Sequence, residues 1–315
     1  MDLVVPDHIV ELGATARRAF ADVGGVDLAR DAERDPGERQ RAADALRALG
    51  AFDIDPLEDA DQALAAFALC REAGRVALPW PVEATLCRAG GGAVTLVDPA
   101  DPLVDHADVL DAPFAVDVTG RAWRATVAGP RLGSRLAPFA VPVALEPVDA
   151  PVAIDAAATT AWALSAVTVL GYVESAVDLA AEHVRTRRQF DQRIADFQAV
   201  QFQVADALVA AAGLAELALF TIWRVAELGA GARTDALALR VHAADVVRSA
   251  MRTAQQLHGA SGVSDEYDVS VLCRRAQANL RLPVSSERVV GVLVDAIRDE
   301  GFASLFPQGR KRVGA

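Results

Sequence analysis

The chain has 315 residues and a formal charge of −12, a balance that excludes nucleic acid or an anionic membrane as its main partner. Apolar residues make up 52% of it and aromatics only 5%, so a large core must be built from Ala, Val and Leu, the composition of closely packed helices. Cys70, Cys87 and Cys273 are widely spaced, which predicts buried free thiols with neither a metal site nor a disulfide framework.

The opening MDLVVPDHIVELG has acids where a leader needs bases, and the apolar window 203–223 is interrupted by Asp206 and Glu216. Both features predict a cytoplasmic chain with no membrane span. Residues 7–89 read as short helices. Asp7 is placed to cap a first segment carrying Ile9, Val10, Leu12 and Phe20; a second runs from Pro36 to Leu49 and stops at Gly50; a third carries Leu64, Phe67 and Cys70 before Gly74. LPWP at 78–81 breaks the pattern. Between 90 and 150, four short apolar runs (90–99, 109–118, 121–129 and 139–148) are divided by Gly, Pro and Asp, as strands are by turns. From 151 to 315 helix takes over, with long elements expected at 155–186, 197–229, 234–258 and 285–299. The predicted class is therefore mainly α with a small β middle domain: helical 1–89, β 90–150, four-helix bundle 151–315.

Two stretches carry chemistry. RTRRQFDQRIADFQAVQ, 185–201, crowds Arg185, Arg187, Arg188 and Arg193 around Phe190 and Phe197 at the turn between the first two long helices. Such a cluster is either a solvated helix end complementing its dipole or an anion site beside an aromatic slot. QQLHGASG, 255–262, ends the third long helix at His258–Gly259, with Arg274–Arg275 opening the next segment. His258 alone reads more readily as a satisfied structural histidine than as an acid or base.

Taken together, R-x-Q-F-x-x-x-I-x-x-F-Q-A at 187–199 and Q-x-H-G-x-x-G with a closing R-R-A at 256–276 resemble the acyl-CoA dehydrogenase family. The form of the loop is most similar to an actinobacterial branch of paired, unlike subunits acting on steroid-derived CoA thioesters. The resemblance implies FAD held across a subunit interface. Arg187 would meet its pyrophosphate, Gln189, Phe190, Ile194, Phe197 and Gln198 would surround the adenosine half, and Gln256 and Gly259 would close the same half. One departure is Asp191, where the family has Gly.

The family removes an α-proton with a glutamate found at one of three positions. Here they fall on Pro283, Thr168 and Ala161, none of which takes a proton, so no catalytic residue is expected in this chain. Glu174 and Asp178 on the first long helix and Glu287 after Pro283 are the acids that could substitute, and helix geometry turns Glu174 about 120° from Thr168. The resemblance thus implies a subunit of a heteromeric, α2β2 acyl-CoA dehydrogenase whose longer partner supplies the glutamate, with an acyl-CoA substrate and an electron-transfer acceptor. Two other readings stay open: a homomer with a relocated base, and a helical assembly module that binds no cofactor.

Overall fold

The computed structural model describes residues 5–300; residues 301–315, the end of the expected bundle segment, lie outside it. Five helices come first: α1 (Asp7–Asp22), α2 (Gly25–Arg34), α3 (Arg39–Ala48), α4 (Ala60–Arg75) and α5 (Val82–Leu86). In α1 the buried Ile9, Gly13, Ala16 and Phe20 recur at helical spacing. Its first helical residue is Asp7 itself, behind Pro6, so Asp7 complements the helix dipole and is not the cap. The true cap lies at α4, where the Asp59 side chain accepts from the backbone N–H of Gln62 at 2.8 Å.

Gly74 does not end α4, which runs on to Arg75. It is a contact residue. A Cβ on Gly74 would lie 2.1 Å from the carbonyl oxygen of Thr168, and one on Gly171 would lie 2.1 Å from that of Arg71. Backbone therefore meets backbone where α4 crosses the next long helix.

The sheet has six strands: β1 (Arg88–Ala89), β2 (Gly92–Leu96), β3 (Leu103–Asp105), β4 (Phe114–Val116), β5 (Ala122–Val127) and β6 (Ala140–Pro147). Their spatial order is β1-β2-β4-β5-β6-β3, with β2 and β4 parallel and the other pairs antiparallel. The four expected strands are present. The two unanticipated ones, β1 and β3, are only two and three residues long, too short for a pattern to show.

The last part holds α6 (Ile154–Thr186), a hairpin of β7 (Arg188–Gln189) and β8 (Gln192–Arg193), then α7 (Gln198–Leu228), α8 (Arg233–His258), α9 (Asp268–Arg281) and α10 (Ser286–Glu300). Helix α6 is the central element, with 23 of its 33 residues buried. Arg274 and Arg275 lie inside α9, correcting the expectation that they open a segment. One continuous apolar core runs from Phe20 in α1 through Val94 and Phe114 in the sheet to Val289 in α10. A smaller cluster of Val97, Val104, Ala115, Trp123 and Val141 packs separately within the sheet. The three cysteines are buried and free, and burial pushes the thiols of Cys70 and Cys87 well up and that of Cys273 up to about 12.

Two stretches, in α6 and in 198–263, are long and apolar enough to span a membrane. The most apolar window of the first is 94% inside the bundle, against 33% for the second. Asp206 and Glu216 therefore do not take the stretch 198–263 out of the test of length and composition, and the outer face of α7 is uncovered among the described residues.

Candidate functional site

The segment 187–198 forms an exposed hairpin that links α6 to α7. Arg187 ends α6, its N–H donating to the carbonyl of His183 at 2.9 Å, and its own carbonyl accepts from Ile194 at 2.9 Å. Arg188 pairs with Arg193 and Gln189 with Gln192, leaving Phe190 and Asp191 as a two-residue turn. Their φ angles are +52° and +62°. Two consecutive left-handed residues are the mark of a type I′ hairpin, which favours Gly or Asn/Asp. This accounts for the departure at 191: the position wants glycine's freedom, and aspartate is one of the few side chains that tolerates it.

The arginines divide into committed and free. Arg193 is held by Asp196, Nη2 to Oδ1 at 2.8 Å, and Arg188 donates to the backbone carbonyl of Asp191 at 3.2 Å. Neither reaches the Asp191 carboxylate as a neutralising partner. The exposed guanidinium of Arg187 forms no hydrogen bond or ion pair among the described residues. Phe190 is 84% exposed and stands edge-on to Phe197 at 6.3 Å. Ile194 and Phe197 are half-buried beneath, and Gln198 opens α7 on the surface.

The loop after α8 is joined to this patch by a ring stack, His183 on His258 at 4.5 Å. Nδ1 of His258 lies 2.8 Å from the Ala254 carbonyl, so this histidine is the satisfied, structural one. Gly259 has φ +61°, and a Cβ on Gly262 would strike the Gln255 carbonyl oxygen at 2.5 Å. Both glycines are needed for the chain to fold back so closely. Gln256 and Gly259 are thereby exposed on the same flank as the hairpin.

These residues fit one side of a dinucleotide: a free guanidinium, an uncovered aromatic ring and surface amides. They enclose nothing by themselves. The patch is an open surface.

A second locus lies inside. Ala161, Ser165, Thr168 and Tyr172 recur at spacings of four, three and four along α6, so they share one stripe. That stripe faces Arg275, Ala278, Asn279 and Leu282 of α9 and its end, Trp80 and Glu83 around the start of α5, and β2 and β3, across a cavity of about 70 Å³. All three family base positions, Ala161, Thr168 and Pro283, meet in this one wall. The acids weighed as substitutes are elsewhere. Glu174 accepts from Arg71 at 2.6 and 2.8 Å and from Arg75 at 3.0 Å, tied to α4. Glu287 is in the exposed first turn of α10, where its own N–H and the Ser285 hydroxyl hold its carboxyl below the usual range.

Sequence reasoning missed Glu83. It stands on α5 and lines the cavity, and burial, reinforced by Asp105, pushes its carboxyl up to about 7 against weaker opposing pulls from a backbone N–H and Arg275. By surface area the residue is half-buried. In the sequence, PVEATL reads as a helix start with an acid in its first turn, which hides the residue. Opposite it, Arg275 is buried, with Nη2 3.2 Å from Asp105 Oδ2 and 3.3 Å from His106 Nε2. Burial and then Arg275 hold His106 well below its ordinary range, so the ring is neutral; with Nε2 accepting from Arg275, its proton sits on Nδ1. Burial also raises the Tyr172 hydroxyl to about 12. Among the described residues no group of three His, Cys, Asp or Glu side chains comes together to hold a metal ion.

The model for the acyl-CoA dehydrogenase C-terminal domain matches residues 153–281, the stretch from α6 to α9 that carries the hairpin, the glycine loop and Arg275. Residues 153–281 are an acyl-CoA dehydrogenase C-terminal domain. The chain is similar, at 33% identity over 107 residues, to acyl-CoA dehydrogenase FadE27 of Mycobacterium tuberculosis, covering 32% of this chain and 29% of that protein. It is 30% identical over 105 residues to the caffeyl-CoA reductase–Etf complex subunit CarC of Acetobacterium woodii, covering 33% of this chain and 27% of CarC. The matched stretch thus spans less than a third of either curated relative. Similarity of fold extends much further. The ChsE4–ChsE5 complex from Mycobacterium tuberculosis superposes with a TM-score of 0.77 at 17% identity, covering 95% of this chain and 99% of that one. A Tcur3481–Tcur3483 steroid ACAD variant does so with a TM-score of 0.74 at 18% identity, over 93% and 98%. Nearly the whole chain has the acyl-CoA dehydrogenase fold.

Proposed function

We propose that this chain is one subunit of a heteromeric, FAD-dependent acyl-CoA dehydrogenase, an α2β2 assembly that introduces an α,β double bond into an acyl-CoA. The observation that carries the reading is the division within one molecule. The hairpin patch is intact and faces outward, while the three base positions that converge on the cavity are Ala161, Thr168 and Pro283. The chain lends one flank of a cofactor site and leaves proton abstraction to a glutamate of its partner.

In that assembly Arg187 holds the pyrophosphate of FAD bound mainly by the partner. Phe190, Ile194 and Phe197 offer apolar surface to the adenosine half, Gln189 and Gln198 hydrogen-bond its polar edges, and Gln256 and Gly259 close the same side. FAD, when bound, supplies the two-electron acceptor. A separate electron-transfer acceptor then receives the electrons, and the complex works in the cytoplasm. The exposed apolar face of α7, with Phe202 59% and Val209 73% exposed, suits burial against a second subunit. That the superposing ChsE4–ChsE5 structure is a complex and the Tcur structure a steroid ACAD supports an unlike partner and a steroid-derived acyl group.

Glu83 favours a second reading, a homomer with a relocated base, because it is the carboxyl that enters the cavity near neutrality. Turnover of the Glu83→Gln variant separates the two: unchanged within a few-fold for a lending subunit, down by roughly 10²–10⁴ for a relocated base. The direct test of the proposal is Arg187→Ala in the co-expressed complex. Loss of one or two charge-assisted bonds predicts roughly ten- to hundredfold weaker flavin retention with helicity unchanged. Unaltered flavin content would return Arg187 to a plain helix-end role.

A further inference from the structure

The cavity beneath α6 contains more polar chemistry than its lost base positions explain. Arg275 is a permanent cation with 2% of its surface exposed, yet among the described residues its Nε and Nη1 have no hydrogen-bond partner, and neither does Nδ1 of His106. Buried donors are almost always satisfied, by protein or by something bound. By the tautomer argument His106 Nδ1 is a donor as well, so three donors stand unmatched. Among the described residues one carboxylate bonds Arg275, that of Asp105 at 3.2 Å through one oxygen, with Oδ1 of that aspartate itself unpartnered; the guanidinium also stands 4.6 Å over the Phe139 ring. The cation is under-compensated.

The rest of the wall is mixed: Leu78, Val82, Val94, Leu96, Leu103 and Leu282 supply apolar surface, and Thr95, Ser165, Thr168, Tyr172 and Asn279 add a few polar atoms. An apolar pocket with a few fixed polar atoms is the usual form of a small-molecule site. Its volume of about 70 Å³ sets the size. By the same measure one water takes roughly 10–15 Å³, so about five waters, or a short aliphatic chain, would fill it. A polycyclic acyl group would not.

We propose that this cavity binds a short aliphatic carboxylate, its anion completing the charge of Arg275 and its chain lying against the Leu and Val wall, with Glu83 taking up a proton as the ligand enters. Two ionised carboxylates repel strongly in so small a space, so the incoming anion favours the protonated Glu83. The groups that face Glu83 from the packed elements are Asp105 and His106 beside β3, Tyr172 on α6, Arg275 on α9, Cys70 on α4 and Cys87 after α5. The histidine is neutral, the tyrosine and both thiols are protonated, and Asp105 is engaged by Arg275. Glu83 is therefore the group left to change charge near neutral pH. Unliganded, its carboxyl sits at about 7. Linkage then weakens binding by about tenfold between pH 6 and pH 8. This inference is independent of the hairpin patch, because the cavity is lined by other residues of the chain.

The experiment is calorimetric titration of the full chain with butyrate, at pH 6 and pH 8 and in two buffers of different ionisation enthalpy. The expected result is saturable binding at pH 6, uptake of a proton at pH 8, and an affinity about tenfold lower there. Glu83→Gln keeps the neutral form and should bind equally at both pH values. Ala161→Leu fills the cavity without touching a charge and should abolish binding while the chain stays helical. Butyramide, which lacks the charge, should bind at least tenfold more weakly than butyrate. The proposal is overturned by no saturable binding at pH 6, by butyramide matching butyrate, by an undiminished signal in Ala161→Leu, or by a pH dependence that persists in Glu83→Gln.

Discussion

Glu83 and Arg187 show how differently two residues declare themselves. Arg187 stands in a spaced motif that drew attention to it in the sequence, and the structure leaves its guanidinium exposed. Glu83 was not legible, since its environment is assembled from α4, α5, α6, α9 and two strands far apart in sequence. Its energetics make a separate prediction. The folded carboxyl is raised from 4.5 to about 7, so folding holds the proton more tightly than the unfolded chain does. The associated stability is fully present below about pH 4.5 and is lost as pH rises through about 7, a change of order 3 kcal/mol. Glu83→Gln should remove this loss. Denaturant midpoints measured from pH 5 to pH 8 should fall less steeply in the variant than in the parent; parallel curves would show that Glu83 ionises freely.

Among elements, the hairpin and the α4–α6 crossing are the most informative. The motif at 187–199 located the hairpin, but not why its turn accepts Asp191; only the φ of +62° explains that. Asp191→Gly should relieve about 1 kcal/mol of left-handed strain and remove a carboxylate from beside the expected pyrophosphate. Flavin retention in the complex should rise a few-fold, and a fall would mean that Asp191 contributes a contact. At the crossing, Gly74 reads as a helix stop in sequence, whereas it is a point of backbone contact with α6. Gly171→Ala would force a Cβ to 2.1 Å from the Arg71 carbonyl oxygen. Overpacking of this kind costs typically ~1–3 kcal/mol, so the thermal midpoint should drop by several degrees. An unchanged midpoint would mean that the helices separate at little cost. Helices α2 and α9 were not legible: α2 buries only Leu28, Ala29 and Ala32, and in α9 the buried Ser270 and Arg275 interrupt the apolar period. The long elements α6, α7 and α8 were plain, because thirty residues without a breaker leave few alternatives.

At the scale of the whole molecule, the order of helices, small sheet and bundle was legible from composition shifts alone. What surrounds the chain in an assembly was not. Helix α7 buries only 8 of its 31 residues, along one stripe from Ala207 to Val225. The opposite face, with Phe202, Leu208 and Val209, is apolar and uncovered. The hairpin patch is likewise open, with Phe190 84% exposed. In the proposed assembly a larger subunit packs on this chain, covers both surfaces and brings the rest of the flavin site and the glutamate. The most direct measurement of that claim is the flavin-to-protein ratio of the chain purified alone and after co-expression with a longer acyl-CoA dehydrogenase homologue. The account predicts a colourless chain alone and a yellow complex with about one FAD per unlike pair, the count of one lent flank for each platform. Stoichiometric flavin and acyl-CoA dehydrogenase turnover from this chain by itself would contradict it.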